Sequence, residues 1–116
     1  MFFEATTNLE QGTVYIIKMV LDCGTTVYKI GITTRAVEDR LAELVIDMFK
    51  KIRYIPRTSL KRFSKSSNYR HVELELLEMF KEHKYEWYRT FGGCNEFICG
   101  IEEELLLEEY DKRMKV

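Results

Sequence analysis

Two short tyrosine-bearing segments, Val14-Tyr15-Ile16 and Tyr28-Lys29-Ile30-Gly31, constrain the fold more than any other feature of this chain. Residues 13–19 and 25–32 are β-branched and aromatic, and Asp22-Cys23-Gly24 between them signals a turn. The expectation is an antiparallel hairpin, with Tyr15 and Tyr28 on one side if the register allows it. Thr33-Thr34 supplies an N-cap for a helix over about 36–50, and Glu38 and Asp39 lie in its first turn. Val37, Leu41, Leu44 and Met48 recur at helical spacing and form its buried stripe.

Beyond this helix, 52–56 reads as a third strand with Pro56 near its end. The stretch 58–69 mixes serines with basic residues and reads as a mobile loop. A second helix is expected over 70–83. Gly92-Gly93 marks a turn before the apolar Phe97-Ile98. A last helix over 101–114 would bury Ile101, Leu105 and Met114, and 1–11 would form a lead-in packing Phe2 and Phe3. The whole reads as one domain over 1–116, an α/β (α+β) fold with a small, mainly antiparallel three-stranded sheet flanked by helices.

Composition narrows the function classes. No apolar run approaches the roughly 20 residues of a membrane span, and the first residues do not read as a signal peptide. Three widely spaced cysteines argue against a disulfide framework and for a reducing, intracellular compartment, cytoplasmic or nuclear. The net charge of -1 conceals an asymmetry. Lys50, Lys51, Arg53, Arg57, Lys61, Arg62, Lys65 and Arg70 cluster in a stretch free of acid, and Glu102 to Asp111 is acidic. The basic block is a candidate footprint for a polyanion, or else a solvated edge with gatekeeper lysines.

Glu73 is the sharpest candidate for chemistry. Val72, Leu76, Leu77, Met79 and Phe80 mark the apolar arc of the second helix, and Glu73 falls inside it. A carboxylate there is costly unless it is paired, for example with Arg40, or bound to a metal. Arg40 can offer a phosphate a planar two-bond fork, or pair with Glu43 on the surface. Tyr15 and Tyr28 are ordinary strand residues. A phenol is a poor base at neutral pH unless a cation or a metal-bound water lowers its pKa.

In order and spacing these residues resemble the GIY-YIG nuclease superfamily, in its phage- and large-virus-encoded branch. Gly12-Thr13-Val14-Tyr15 stands for the first motif and Tyr28-Lys29-Ile30-Gly31 for the second. Glu38-Asp39-Arg40-Leu41 resembles the segment of the active-site arginine, and His71-Val72-Glu73 that of the metal-binding glutamate. Asn95-Glu96-Phe97 resembles a Glu-aromatic segment found downstream. The resemblance covers about 12–100. It implies a metal-dependent endonuclease that hydrolyses DNA, in preference to RNA, with limited sequence preference. Tyr15 would activate or position water, Tyr28 would line the site, and Arg40 would stabilise the scissile phosphate. Glu73 would bind one Mg²⁺ or Mn²⁺, while Lys29 and the basic block would hold the strand. The sequence departs from the pattern in reading Thr13-Val14-Tyr15, and in placing Leu44 one turn after Arg40. Two other readings fit the same residues: a catalytically silent nucleic-acid-binding domain of this fold, and a viral protein-interaction module working through the acidic helix.

Overall fold

The computed structural model describes residues 11–114; the expected packing of Phe2 and Phe3 lies outside them. Strands β1 (Gly12–Val20) and β2 (Thr26–Thr33) form the expected antiparallel hairpin, with Leu21 and Thr25 closing the turn through a 2.9 Å backbone bond. The other edge of β1 pairs antiparallel with β3 (Arg57–Ser66), and β2 pairs antiparallel with the short β4 (Phe97–Cys99). The strand order is therefore β3-β1-β2-β4, four strands among the described residues where three were expected. Helix α1 (Val37–Ile52) covers one face, and α2 (Tyr69–Met79) with α3 (Glu103–Met114) covers the other. Covering on both faces explains the apolar run Val14-Tyr15-Ile16-Ile17 within β1: Ile16 looks toward α2 and α3, Ile17 toward α1, and both are fully buried.

Several local expectations are corrected. The strand expected over 52–56 is the end of α1 and a connection. Arg53 ends that helix in the left-handed region at φ 71°, with its N–H on the Phe49 carbonyl. The loop expected over 58–69 is instead β3, followed by the start of α2. No residue of β3 is buried, so this edge strand carries none of the apolar alternation by which strands are recognised. Thr33 does not cap α1. Its hydroxyl accepts from the Arg35 N–H at 3.1 Å, and the N-cap position falls to Ala36. The second helix stops at Met79, with a 3₁₀ turn over Lys81–His83. Helix α3 is turned from its expected phase: Leu106 and Tyr110 are buried while Leu105 is exposed, the run of three leucines leaving the phase open.

The far face is closed by polar locks. The Tyr110 hydroxyl donates to the Val14 carbonyl at 2.6 Å, inside the protein. At the rim Glu103 accepts from the Tyr28 hydroxyl at 3.1 Å and pairs with Lys18 at 3.2 Å and Lys61 at 3.5 Å.

Candidate active site

Strand register decides which side chains meet. Tyr15 pairs with Gly31, and the two face the α1 side together. The Tyr15 ring lies across Gly31, where a Cβ would stand 2.4 Å from the ring and the hydroxyl. Gly31 is thus required for room, and alternation puts Lys29, two residues earlier, on the same face. Tyr28 is one residue out of phase and points the other way, into the α2–α3 layer. The two tyrosines do not share a side, and Tyr28 is tied to Glu103.

Around Tyr15 the chain gathers Lys29 from β2, Arg40 from the first turns of α1, Glu73 from α2, and Glu96 from the 3₁₀ turn Cys94–Glu96. Arg40 lies close enough to the Tyr15 phenol to pull its pKa down, and pairs with Glu43 at 3.7 Å. The Lys29 side chain is completely buried, and its ammonium bonds Glu96 Oε1. That ammonium also lies 5.9 Å from the Tyr15 ring centre and 5.6 Å from that of Phe97. Glu73 is 8% exposed, and its Oε2 is buried without a hydrogen-bond partner. Glu96 lies alongside it, close enough to raise its pKa. Glu73 belongs to a helix of the opposite layer, so its side chain joins the two sides of the sheet.

The segment carrying Glu96 is anchored by aromatic packing. Trp87 meets Tyr85, Phe91 and Phe97 edge-on at 4.9, 5.1 and 5.0 Å between ring centres. The Gly92 N–H donates to Asp47 on α1 at 2.9 Å.

Protonation follows from burial. Burial pushes the Tyr15 phenol up to about 12 against the opposing pull of Arg40, so it is protonated at neutral pH. Burial, with Glu96 alongside, raises Glu73 to about 7, while Lys29 and Arg70 pull it down. Burial lowers Lys29, and Glu96 resists that shift.

The predicted strand-gripping residues divide. Lys29 faces inward and is inaccessible to any polymer. Lys61 pairs with Glu103, and Arg62 with Asp111 at 3.1 Å, both toward α3. Lys50, Lys51 and Arg53 lie at the far end of α1, whose 16 residues span about 24 Å, and Arg57 pairs with Val20 at that same end of the sheet. Lys65 pairs in register with Thr13, next to Tyr15. Arg70 lies one turn before Glu73 with its guanidinium 5.0 Å from the Tyr69 ring centre. A hollow of about 380 Å³ beside the cluster is lined by Thr13, Thr34, Arg35, Phe63 and Lys65 among others. Phe63, paired with Tyr15, is 56% exposed there.

Glu96 and the inward role of Lys29 were not among the predicted site residues. Period-two alternation back from Gly31 would have found Lys29. Glu96 had only its place in the Asn95-Glu96-Phe97 segment. Among the described residues, no three acidic, histidine or cysteine groups converge as a metal cluster, and no helix is long and apolar enough to cross a membrane.

Comparison with known proteins gives one family: the T5orf172 domain matches residues 12–113. No curated protein and no solved structure gives a significant match.

Proposed function

The chain belongs to the T5orf172 domain family, a phage-associated family linked with nuclease-like or nucleic-acid-binding roles, and from this premise we propose that it is a metal-dependent endonuclease that hydrolyses DNA phosphodiester bonds. The observation that carries the reading is the buried, partnerless Oε2 of Glu73, in a cluster that also holds Tyr15 and Arg40. An oxygen left without a partner at that depth is costly, and a hard divalent cation is a fitting occupant. Glu73 would hold the ion, Mg²⁺ or Mn²⁺. When bound, the ion supplies Lewis-acid stabilisation of the leaving oxygen.

The chain's own residues supply the rest. Arg40 is a quarter exposed, so its guanidinium can meet a phosphate at the surface while it steadies Tyr15 from within. It takes up the charge that grows on the phosphoryl oxygens as water attacks. Tyr15, protonated and held across Gly31, positions the attacking water by hydrogen bonding. The products are a phosphomonoester and an alcohol. Lys65, Arg70 and the hollow beside Phe63 accept the flanking strand, with Lys65 and Arg70 meeting phosphates. Family membership supports nucleic acid as the partner; DNA in place of RNA is our choice.

Plasmid cleavage in Mg²⁺ and in Mn²⁺ tests this, with wild type and Glu73→Gln purified in parallel. Nicking by wild type that disappears in the variant is the expected result. Equal nicking by both would remove Glu73 from the site. A second reading, a silent nucleic-acid-binding domain, draws on Leu44: one turn after Arg40, it is buried and offers no polar group. Salt-sensitive DNA binding without cleavage in either metal would favour it.

A further inference from the structure

We propose that Glu96 is a second carboxylate ligand for the divalent cation placed on Glu73, and that Lys29 is the positioning residue that holds it there; this rests on the metal site of the nuclease reading. Glu96 lies alongside the buried Glu73 carboxyl, and two carboxylates side by side in a buried cluster call for a shared proton or a cation between them. Glu73, 8% exposed, keeps Oε2 without a partner. Glu73 thus brings an unsatisfied oxygen to the place where Glu96 lies alongside it.

Glu96 is held firmly enough to serve as a ligand. The buried Lys29 ammonium takes its Oε1. Gly93, at φ +82°, passes so close that a Cβ would stand 2.7 Å from Lys29 Nζ and 3.4 Å from Glu96 Oε1. A carboxylate has about four lone-pair sites, so a bond to Lys29 leaves capacity for a cation. Mg²⁺ commonly takes one or two carboxylates and completes its shell with substrate phosphate and water. That composition suits a site in which, among the described residues, no third acidic, histidine or cysteine group joins the two carboxylates. Lys29 also supplies a fixed positive charge that limits repulsion between Glu73 and Glu96 before the ion arrives.

The competing role for Glu96 is to neutralise Lys29 and nothing more. Glu96→Gln alone does not separate the two, because it also leaves an unbalanced ammonium beside Glu73. The double variant Lys29→Met/Glu96→Gln removes both charges and does separate them. Mn²⁺ binding to the full chain would be read by electron paramagnetic resonance of the free ion. Titrations would be run with and without a short DNA duplex carrying phosphorothioate linkages, with circular dichroism to check folding. The expected result is at least about a tenfold loss of Mn²⁺ affinity in Glu96→Gln, persisting in the double variant. Wild-type affinity in the double variant would overturn the proposal. So would wild-type affinity in Glu96→Gln beside a loss in Glu73→Gln, and that outcome leaves the nuclease reading standing. No protein-bound Mn²⁺ in wild type under either condition would overturn both. Should Glu96→Gln or the double variant not fold, Glu96→Asp decides: weakened binding supports the proposal and unchanged binding overturns it.

Discussion

Tyr15 and Tyr28 sit on neighbouring strands, and burial pushes both phenols up to about 12. Their surroundings have opposite sign. Tyr28 donates to Glu103 within a rim of paired charges that includes Lys18 and Lys61. Tyr15 meets Arg40, with Glu73, Glu96 and Lys29 close behind. On the far face every polar group described above has a protein partner. On the α1 face the cluster contains a buried oxygen without one. One face uses its polar groups to close the fold, and the other leaves a buried carboxylate oxygen unmet. A raised phenol pKa is common to both and does not distinguish them; the partner does.

Several substitutions can break or sharpen this contrast. The largest effect is expected for Arg40→Ala, which should lower plasmid cleavage by about 10²–10³-fold with the folded spectrum retained. Gly31→Ala belongs nearby, because its Cβ would drive the Tyr15 ring from its place. A cleavage rate within twofold of wild type would show that the ring position is not needed. Next comes the direct comparison. Tyr15→Phe should lower the cleavage rate by about 10–10²-fold. Tyr28→Phe should leave the rate within about twofold and cost about 1 kcal/mol in urea unfolding, for the lost bond to Glu103. Equal rate losses in the two variants would erase the distinction between the faces.

A smaller effect concerns pH. Glu73 titrates near 4.5 in the unfolded chain and near 7 when folded. Between these values the folded state holds a proton that the unfolded state has released. Metal-free stability should therefore be fullest below pH 4.5 as regards this group, decline as pH rises toward 7, and level off above it. With solvent screening taken into account, the decline should be about 1–2 kcal/mol. Glu73→Gln should flatten the profile and be the more stable protein at pH 8, by urea midpoint, while losing cleavage. An unchanged profile would mean that another group sets it. The smallest effect separates the basic residues. Lys65→Ala should weaken DNA binding by a few-fold and lower its salt slope by about one, whereas Lys50→Ala should do neither.

Much of this fold is readable from residue pattern. The hairpin, the stripe of α1 and the inward placement of Glu73 all follow from periodicity, because those segments bury one or both faces. β3 is invisible to the same reasoning. It is an edge strand of serines and basic residues, and its pairing with β1 comes from backbone hydrogen bonds that any side chains could accompany. The candidate cluster was legible as far as Tyr15, Arg40 and Glu73. Placing Tyr28 beside Tyr15 needed a register, and the observed one pairs Tyr15 with Gly31 and turns Tyr28 away. Glu96 depends on tertiary packing around Trp87 and on the left-handed Gly93, neither of which leaves a periodic signal.

Glu96 follows the rest of its cluster in sequence order, which has a consequence for synthesis. Tyr15 and Lys29 emerge first, on the two strands of the hairpin. The carboxylate that meets Glu73 arrives only with the 3₁₀ turn Cys94–Glu96, and the Tyr110 lock onto Val14 arrives later still. A polypeptide still being translated therefore carries the arginine and the phenol without the completed set of acids. On the proposed reading, a nascent polypeptide would offer nucleic acid the arginine and the phenol alone until the segment carrying Glu96 had been made and packed.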